Sequence, residues 1–392
     1  MIAKRYQLLI FCSTLLMLNC RQGLKKDTFA YHLEQLKPID GLEVLKSGES
    51  MIAVSGIYQA RVFASSSKGM NGRPYGWFSS DLIENNEHAS NMAYLGGESR
   101  IWFAPELGKY SVFFDANAEQ VDENMRAPHD LNTKKFTEKL RTEHAITYVG
   151  DMEIKNNHNY TFSISLERTV SLLSNKQIEQ NLDISLDHIS YVAFRAETTM
   201  TNKGSEKWHK ETGLLSLWEL GCMNTSADNR VIIPLTKQTD SITEYFTKTT
   251  GDRMQIKDAV VYYKADARGL NKIGTPPQFT KNVMGSYSPE NNLLNIVTFN
   301  FTNDGVYVNS LPENNTPYTG DVINIFNGNV DTALGHKWPF YEFESSSSVK
   351  ELAPNESMYH SQTTYHFEGD FNALNAISIT VLGVNLNDIP KF

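Results

Sequence analysis

From residue 51 onward the chain is a succession of short apolar runs separated by Gly, Asn, Asp and Pro clusters. The runs fall at 52–57, 61–64, 101–103, 110–114, 160–166, 191–196, 231–235 and 260–263, then at 293–301, 306–308, 322–326 and 359–367. A dozen strands with turn signals between them point to an all-β sandwich or barrel. Alternation is plainest over 160–166, where Tyr160, Phe162, Ile164 and Leu166 share one face. Helical spacing is confined to a few places. Leu33, Leu36, Leu42 and Leu45 are spaced for helix, but Pro38 and Gly41 interrupt them. Residues 132–142 are expected to form a surface helix, and 372–383, with Leu374, Ile377, Ile379 and Leu382, a helix near the C-terminus. No fixed-period repeat or low-complexity linker divides this part, so one β-domain over 31–392 is expected.

The first residues follow a different pattern. Lys4 and Arg5 precede an apolar run at 8–18, too short for a bilayer span, which takes about 20 residues, but suited to a signal peptide. The run ends in Met17-Leu18-Asn19-Cys20, which resembles a bacterial lipobox, where cleavage leaves a lipidated Cys. The expectation is a signal peptide over 1–19, lipidation at Cys20, and a polar tether over 20–30. The protein would then be exported and held at the outer membrane by its lipid. No acidic cluster follows Cys20, so a periplasm-facing anchor is expected.

Composition narrows the class further. The 392 residues carry a net charge of −9, and losing Lys4 and Arg5 with the signal makes the mature chain −11. Acidic balance argues against a nucleic-acid partner. Besides Cys12 and Cys20 only Cys222 remains, so no internal disulfide is available to the mature fold. Cys222 lies in an apolar run and is expected as a core residue rather than a nucleophile.

Three stretches concentrate polar chemistry. In the first, a glycine pair at Gly96 and Gly97 precedes Glu98, Arg100, Trp102 and Glu106. Two acids, a fork-shaped donor and an aromatic ring are the mixture that sugar hydroxyls and a sugar's C–H face require. The second is His336 to Glu344, where Glu342 and Glu344 share one strand face and Tyr341 and Phe343 the other. Two carboxylates so close push one pKa up, as acid–base chemistry near neutrality needs. The third places His360, Gln362, Thr364 and His366 on one face of a strand. The two His are ~20 Å apart by strand rise and cannot share a metal. No HExxH, CxxC, P-loop, GxSxG or EF-hand spacing occurs, and no metal or cofactor is expected.

The segments GGESRIWFAPELGKYSVFF, GLLSLWELGCMN and PFYEFESSSS…LAPNESMYHSQTTYHFEGD together resemble the DUF6786 family of bacterial lipoproteins. The C-terminal pattern is in turn similar to the galactose mutarotase-like (aldose 1-epimerase) superfamily, with Glu344 at a strand end and 352–358 as the following turn. The resemblance implies a β-supersandwich with a few short helices and a carbohydrate ligand, and it makes Glu344 the candidate general base. The motif carrying the acid of true epimerases has no counterpart here. That leaves His360, His209, His336 and Arg100 as possible donors, with His360 taken as the catalytic partner. Substrate contacts are expected from Glu98, Arg100, Trp102, Glu106, Glu342 and His366. Three functions stay open: a carbohydrate-active enzyme, a non-catalytic glycan-binding lipoprotein, and a structural lipoprotein. Oligomeric state and ligand identity are not legible.

Overall fold

The computed structural model describes residues 24–85, 95–312, 315–330 and 338–392. The expected signal peptide, Cys20 and His336 lie outside them. Among the described residues strand predominates over helix, and the strands gather into three antiparallel sheets of three, ten and six. Period-two sequence becomes period-two burial: along Thr161–Leu172 exposed or half-buried residues alternate with buried ones without a break.

The ten-stranded sheet has a long central pair, Ser190–Asn202 with Ser357–Glu368, in register from Ser357↔Thr201 to Glu368↔Ser190. One face packs against the six-stranded and three-stranded sheets, and helices cover part of the other. Phe371–Leu382, capped by Asp370 at its start and by Gly383 (φ 70°) at its end, lays Leu374, Ile377 and Leu382 on that outer side. A second helix, Asn175–Leu182, begins with a Ser174–Gln177 capping box. The three-stranded sheet, Leu42–Ser47, Ser50–Ser55 and Arg61–Ser66, packs beside helix Phe29–Leu36.

Two local expectations change. Residues 132–142 form no single helix: a short one, His129–Thr133, gives way to the fully exposed edge strand Thr137–Arg141. The backbone hydrogen bonds offered by Ala145–Lys155 decide the matter, because the segment has too few apolar positions to hold a helical face. Between 31 and 46 the helix stops at Leu36 and a strand starts at Leu42, with Gly41 at φ 69° making the turn between them.

The inter-sheet space is not purely apolar. Arg168, from the ten-stranded sheet, forms a two-pronged ion pair with Glu219 of the six-stranded one, Nη1–Oε2 2.6 Å and Nη2–Oε1 2.7 Å. Thr198 and Ser99 accept further guanidinium hydrogens. Both side chains are sealed from solvent, with 0% and 2% exposure, so each charge depends on the other. Glu219→Leu is therefore expected to cost about 3–5 kcal/mol in urea unfolding by stranding Arg168. The double change Arg168→Met with Glu219→Leu should recover most of that loss. Equal destabilisation of the single and double variants would show that the pair is not coupled.

Candidate functional site

The strand Phe340–Ser346 sits inside the six-stranded sheet, between Ile323–Asn327 and Ser216–Asn224. Its side chains alternate between two chemical worlds. Tyr341, Phe343 and Ser345 point toward the ten-stranded sheet: Tyr341 Oη meets Ser286 Oγ at 2.7 Å and accepts from Asn295 Nδ2 at 2.9 Å. Glu342 and Glu344 occupy the opposite face.

On that opposite face Glu344 Oε2 accepts from Trp218 Nε1 at 2.9 Å and from Lys272 Nζ at 3.0 Å. Lys272 comes from strand Asn271–Thr275 and also reaches Glu106 Oε2 at 3.1 Å. Both carboxylate oxygens touch one Nζ, which bounds their separation at about 6 Å. The ammonium lies over the Trp218 ring at 4.4 Å and the Tyr245 ring at 5.4 Å. Tyr245 donates in turn to Asp321 Oδ2 at 2.7 Å. Burial opposes the charge on Lys272, but Glu106 and Glu344 outweigh it and hold the ammonium above its ordinary value. Burial raises Asp321 from 3.8 to about 6. Glu344 Oε1, by contrast, is buried with no hydrogen-bond partner among the described residues.

Arg100 and Glu342 lie beside this centre and satisfy each other. Arg100 Nη2 is 2.8 Å from Glu342 Oε1 and Nη1 is 3.0 Å from Cys222 Sγ, while the thiol donates to the same Oε1 at 2.9 Å. The guanidinium also lies 4.8 Å from the centroid of the Trp102 ring, whose Nε1 has no partner among the described residues. Burial and the Glu342 charge push the Cys222 thiol well up, so it is no nucleophile, in line with the sequence reading of a core residue.

Other expected residues stand elsewhere. His360 is on the far side of the six-stranded sheet from Glu344, because its Nε2 bonds at 2.8 Å to Ser345, the neighbour that points the other way. Ser345 spends its own hydrogen on Gln362 Oε1, so the His360 ring must donate through Nε2. Burial, aided by Arg168, drives its pKa down to about 3, and a neutral ring locked in this way is no acid for Glu344. Glu98 and His366 form a separate tie. Glu98 Oε1 accepts the backbone amides of Ser65 and Gly76, and its Oε2 lies 3.4 Å from His366 Nε2. A side chain at Gly76 would collide with Glu98, and the Gly96–Gly97 bend takes φ values of 79° and 104° that favour glycine. His209 is exposed near Glu351, at 3.8 Å, instead of at this site. The structure thus brings together Glu344, Glu106, Glu342, Arg100 and Trp102, and leaves His360, Glu98 and His366 apart from them. Lys272, Trp218, Tyr245 and Asp321 escape the sequence reading, because the burial of the strand Asn271–Thr275 that carries Lys272 shows only in the fold.

Residues 27–392 match the model of DUF6786, a family of unknown function. The chain belongs to the DUF6786 family. A search among curated proteins finds no match. Among solved structures, a candidate aldose 1-epimerase from Escherichia coli K12 superposes with a TM-score of 0.51 at 10% identity, over 84% of this chain and 99% of that one. A galactose mutarotase-like protein from Lactobacillus casei gives 0.50 at 12% identity, over 83% and 100%. At such identities the likeness establishes the fold alone: this DUF6786 chain is mostly β and shares the fold of these proteins.

Glu344 gives the DUF6786 site a measurable signature. Burial pushes its carboxyl from 4.5 to about 7, Lys272 pulling the other way and Glu342 and Glu106 adding to the rise. The folded state then keeps a proton that the unfolded chain has released. Ionisation of Glu344 therefore weakens the fold as pH climbs from about 4.5 to about 7. Glu344→Gln removes this contribution, so its melting temperature relative to the native protein should rise across that window and level off above it. A difference independent of pH would contradict the raised carboxyl.

Proposed function

We propose that this chain is an exported, lipid-anchored carbohydrate-recognising protein in which a sugar's hydroxyls are met at Glu344. One observation carries the reading: Oε1 of a buried carboxyl, titrating near neutrality, has no partner among the described residues, while its sister oxygen is held by Trp218 and Lys272. A group so placed takes up or gives a proton at one defined atom, which is what a hydroxyl ligand asks of it. Glu106, on the other side of Lys272, supplies a second acceptor, and the galactose mutarotase-like fold supports the same reading. Acting on a sugar, the centre would use Glu344 as acid and base in turn. A non-catalytic binder is the second reading, favoured by the pairing of Glu344 with Lys272 and by the distance of His360 from this face. The anchor rests on Lys4, Arg5, the apolar run at 8–18 and Cys20, and we place it on the periplasmic side of the outer membrane.

Screening the mature protein against monosaccharides and plant or host glycans by thermal shift tests recognition. A hit should raise the melting temperature of the native protein and do so at least tenfold less potently for Glu344→Gln. No shift across the panel would remove the carbohydrate reading. With a hit in hand, polarimetry on fresh anomers separates enzyme from binder, since a mutarotation rate equal to buffer leaves only binding. Labelling with radioactive palmitate tests the anchor: the native chain should incorporate label and Cys20→Ser should not, and unlabelled native protein would refute lipidation.

A further inference from the structure

The face that carries Glu344 does not end at its polar centre. Lys272, Phe326 and Glu342 are lateral partners across three strands, so the Phe326 ring neighbours the Lys272 side chain. From Phe326 the aromatic surface spreads to Phe246 (ring centroids 6.4 Å apart), Trp338 (6.2 Å) and Phe340 (5.8 Å), and Trp77 stacks on Phe340 at 4.4 Å. Phe326 and Phe340 are buried beneath, whereas Trp77 and Trp338 are half-exposed and Phe246 keeps 47% of its surface in solvent. Phe246 follows Tyr245, whose backbone amide donates to Lys272 O and whose ring covers the ammonium.

At the end of this aromatic surface a cavity of about 610 Å³ opens, lined by Arg268, Gly269, Asn329 and Val330. Its walls are tied to the same strands. Asn327 Nδ2 donates to Gly269 O at 2.9 Å, Val330 N to Ala267 O at 2.9 Å, and Trp338 N to Asn329 O at 3.1 Å. Arg268 and Val330 stand exposed at the rim. From Glu344 to Phe340 the strand runs four residues, ~13 Å, a span longer than one sugar ring.

We infer that this aromatic shelf and the Arg268 cavity form a second binding subsite, so that the ligand is a carbohydrate chain rather than a single sugar. The inference rests on the carbohydrate reading above and extends it. The exposed Phe246 ring and the half-exposed Trp77 ring offer apolar surface to the C–H side of further sugar units, and the exposed Arg268 fork supplies donors to their hydroxyls. A site for one free sugar would have no use for this length of shelf.

The test compares binding of glucose, galactose, xylose and galacturonic acid with their linear trimers and pentamers by calorimetry, using the native protein, Phe246→Ala and Arg268→Ala. For at least one series affinity should rise tenfold or more from monomer to pentamer. Phe246→Ala and Arg268→Ala should cancel that gain while leaving monomer binding within twofold. Both residues are exposed, so the fold should tolerate these changes, and an unchanged melting temperature verifies it. Binding of a monomer with no gain on lengthening overturns the second subsite and spares the carbohydrate reading. Failure of every sugar overturns both. Self-association of the native protein that Phe246→Ala abolishes, without any effect of ligand length, assigns the shelf to an interface between copies and also overturns the inference.

Discussion

A strand turns each successive side chain to the opposite face, and in Phe340–Ser346 that constraint separates two polar systems by the thickness of one sheet. Glu344 and Ser345 are covalent neighbours, yet one meets Lys272 and the other His360. The inward system is centred on a closed ion pair, Arg168 locked to Glu219. The outward system keeps one carboxylate oxygen unsatisfied. No side chain can serve both faces without a register shift, which would turn every apolar residue of the strand to the wrong side. The assignment of roles therefore follows from the register of this strand against Ser216–Asn224.

The outward centre is governed by a charge imbalance. Lys272 is one cation shared by Glu106 and Glu344, with Glu342 already committed to Arg100. Burial penalises every ionised group there, so proton uptake by one carboxyl is the cheapest relief, and Glu344 is the group whose value moves to about 7. Lys272 has a second effect. By holding Oε2 together with Trp218, it orients the carboxyl and leaves Oε1 as the oxygen without a partner among the described residues. The cation that blocks half of the group thereby orients the other half.

Much of this was legible in the chain. The opposite facing of Glu342 and Tyr341, the row His360 to His366 on one face, the burial of Cys222 and the C-terminal helix all follow from local periodicity. Which row faces which was not legible, because periodicity fixes alternation along a strand but says nothing about the layer on either side. His360 was paired with Glu344 by chemistry when the intervening sheet forbids it. Lys272 was missed for a related reason. A lysine in a short strand normally marks a solvent face, and only the arrival of Glu106 and Glu344 from distant segments makes its burial tolerable. The edge strand Thr137–Arg141 reads as helix from sequence because what makes it a strand is backbone pairing with Ala145–Lys155, and its side chains, all exposed, show no period-two burial.

The central pair of the ten-stranded sheet has a consequence for the order of assembly. Ser357–Glu368 is almost the last element made, yet it lies between Leu293–Phe299 and Ser190–Asn202 and joins the two halves of the sheet. Until it arrives, each half presents an open edge and the helix that follows it has no complete surface to cover. The sandwich therefore closes only after nearly the whole chain has been synthesised, through contacts between segments far apart in sequence, which makes closure slow. Until then the nascent chain is a set of unpaired edges, dependent on whatever keeps them from one another.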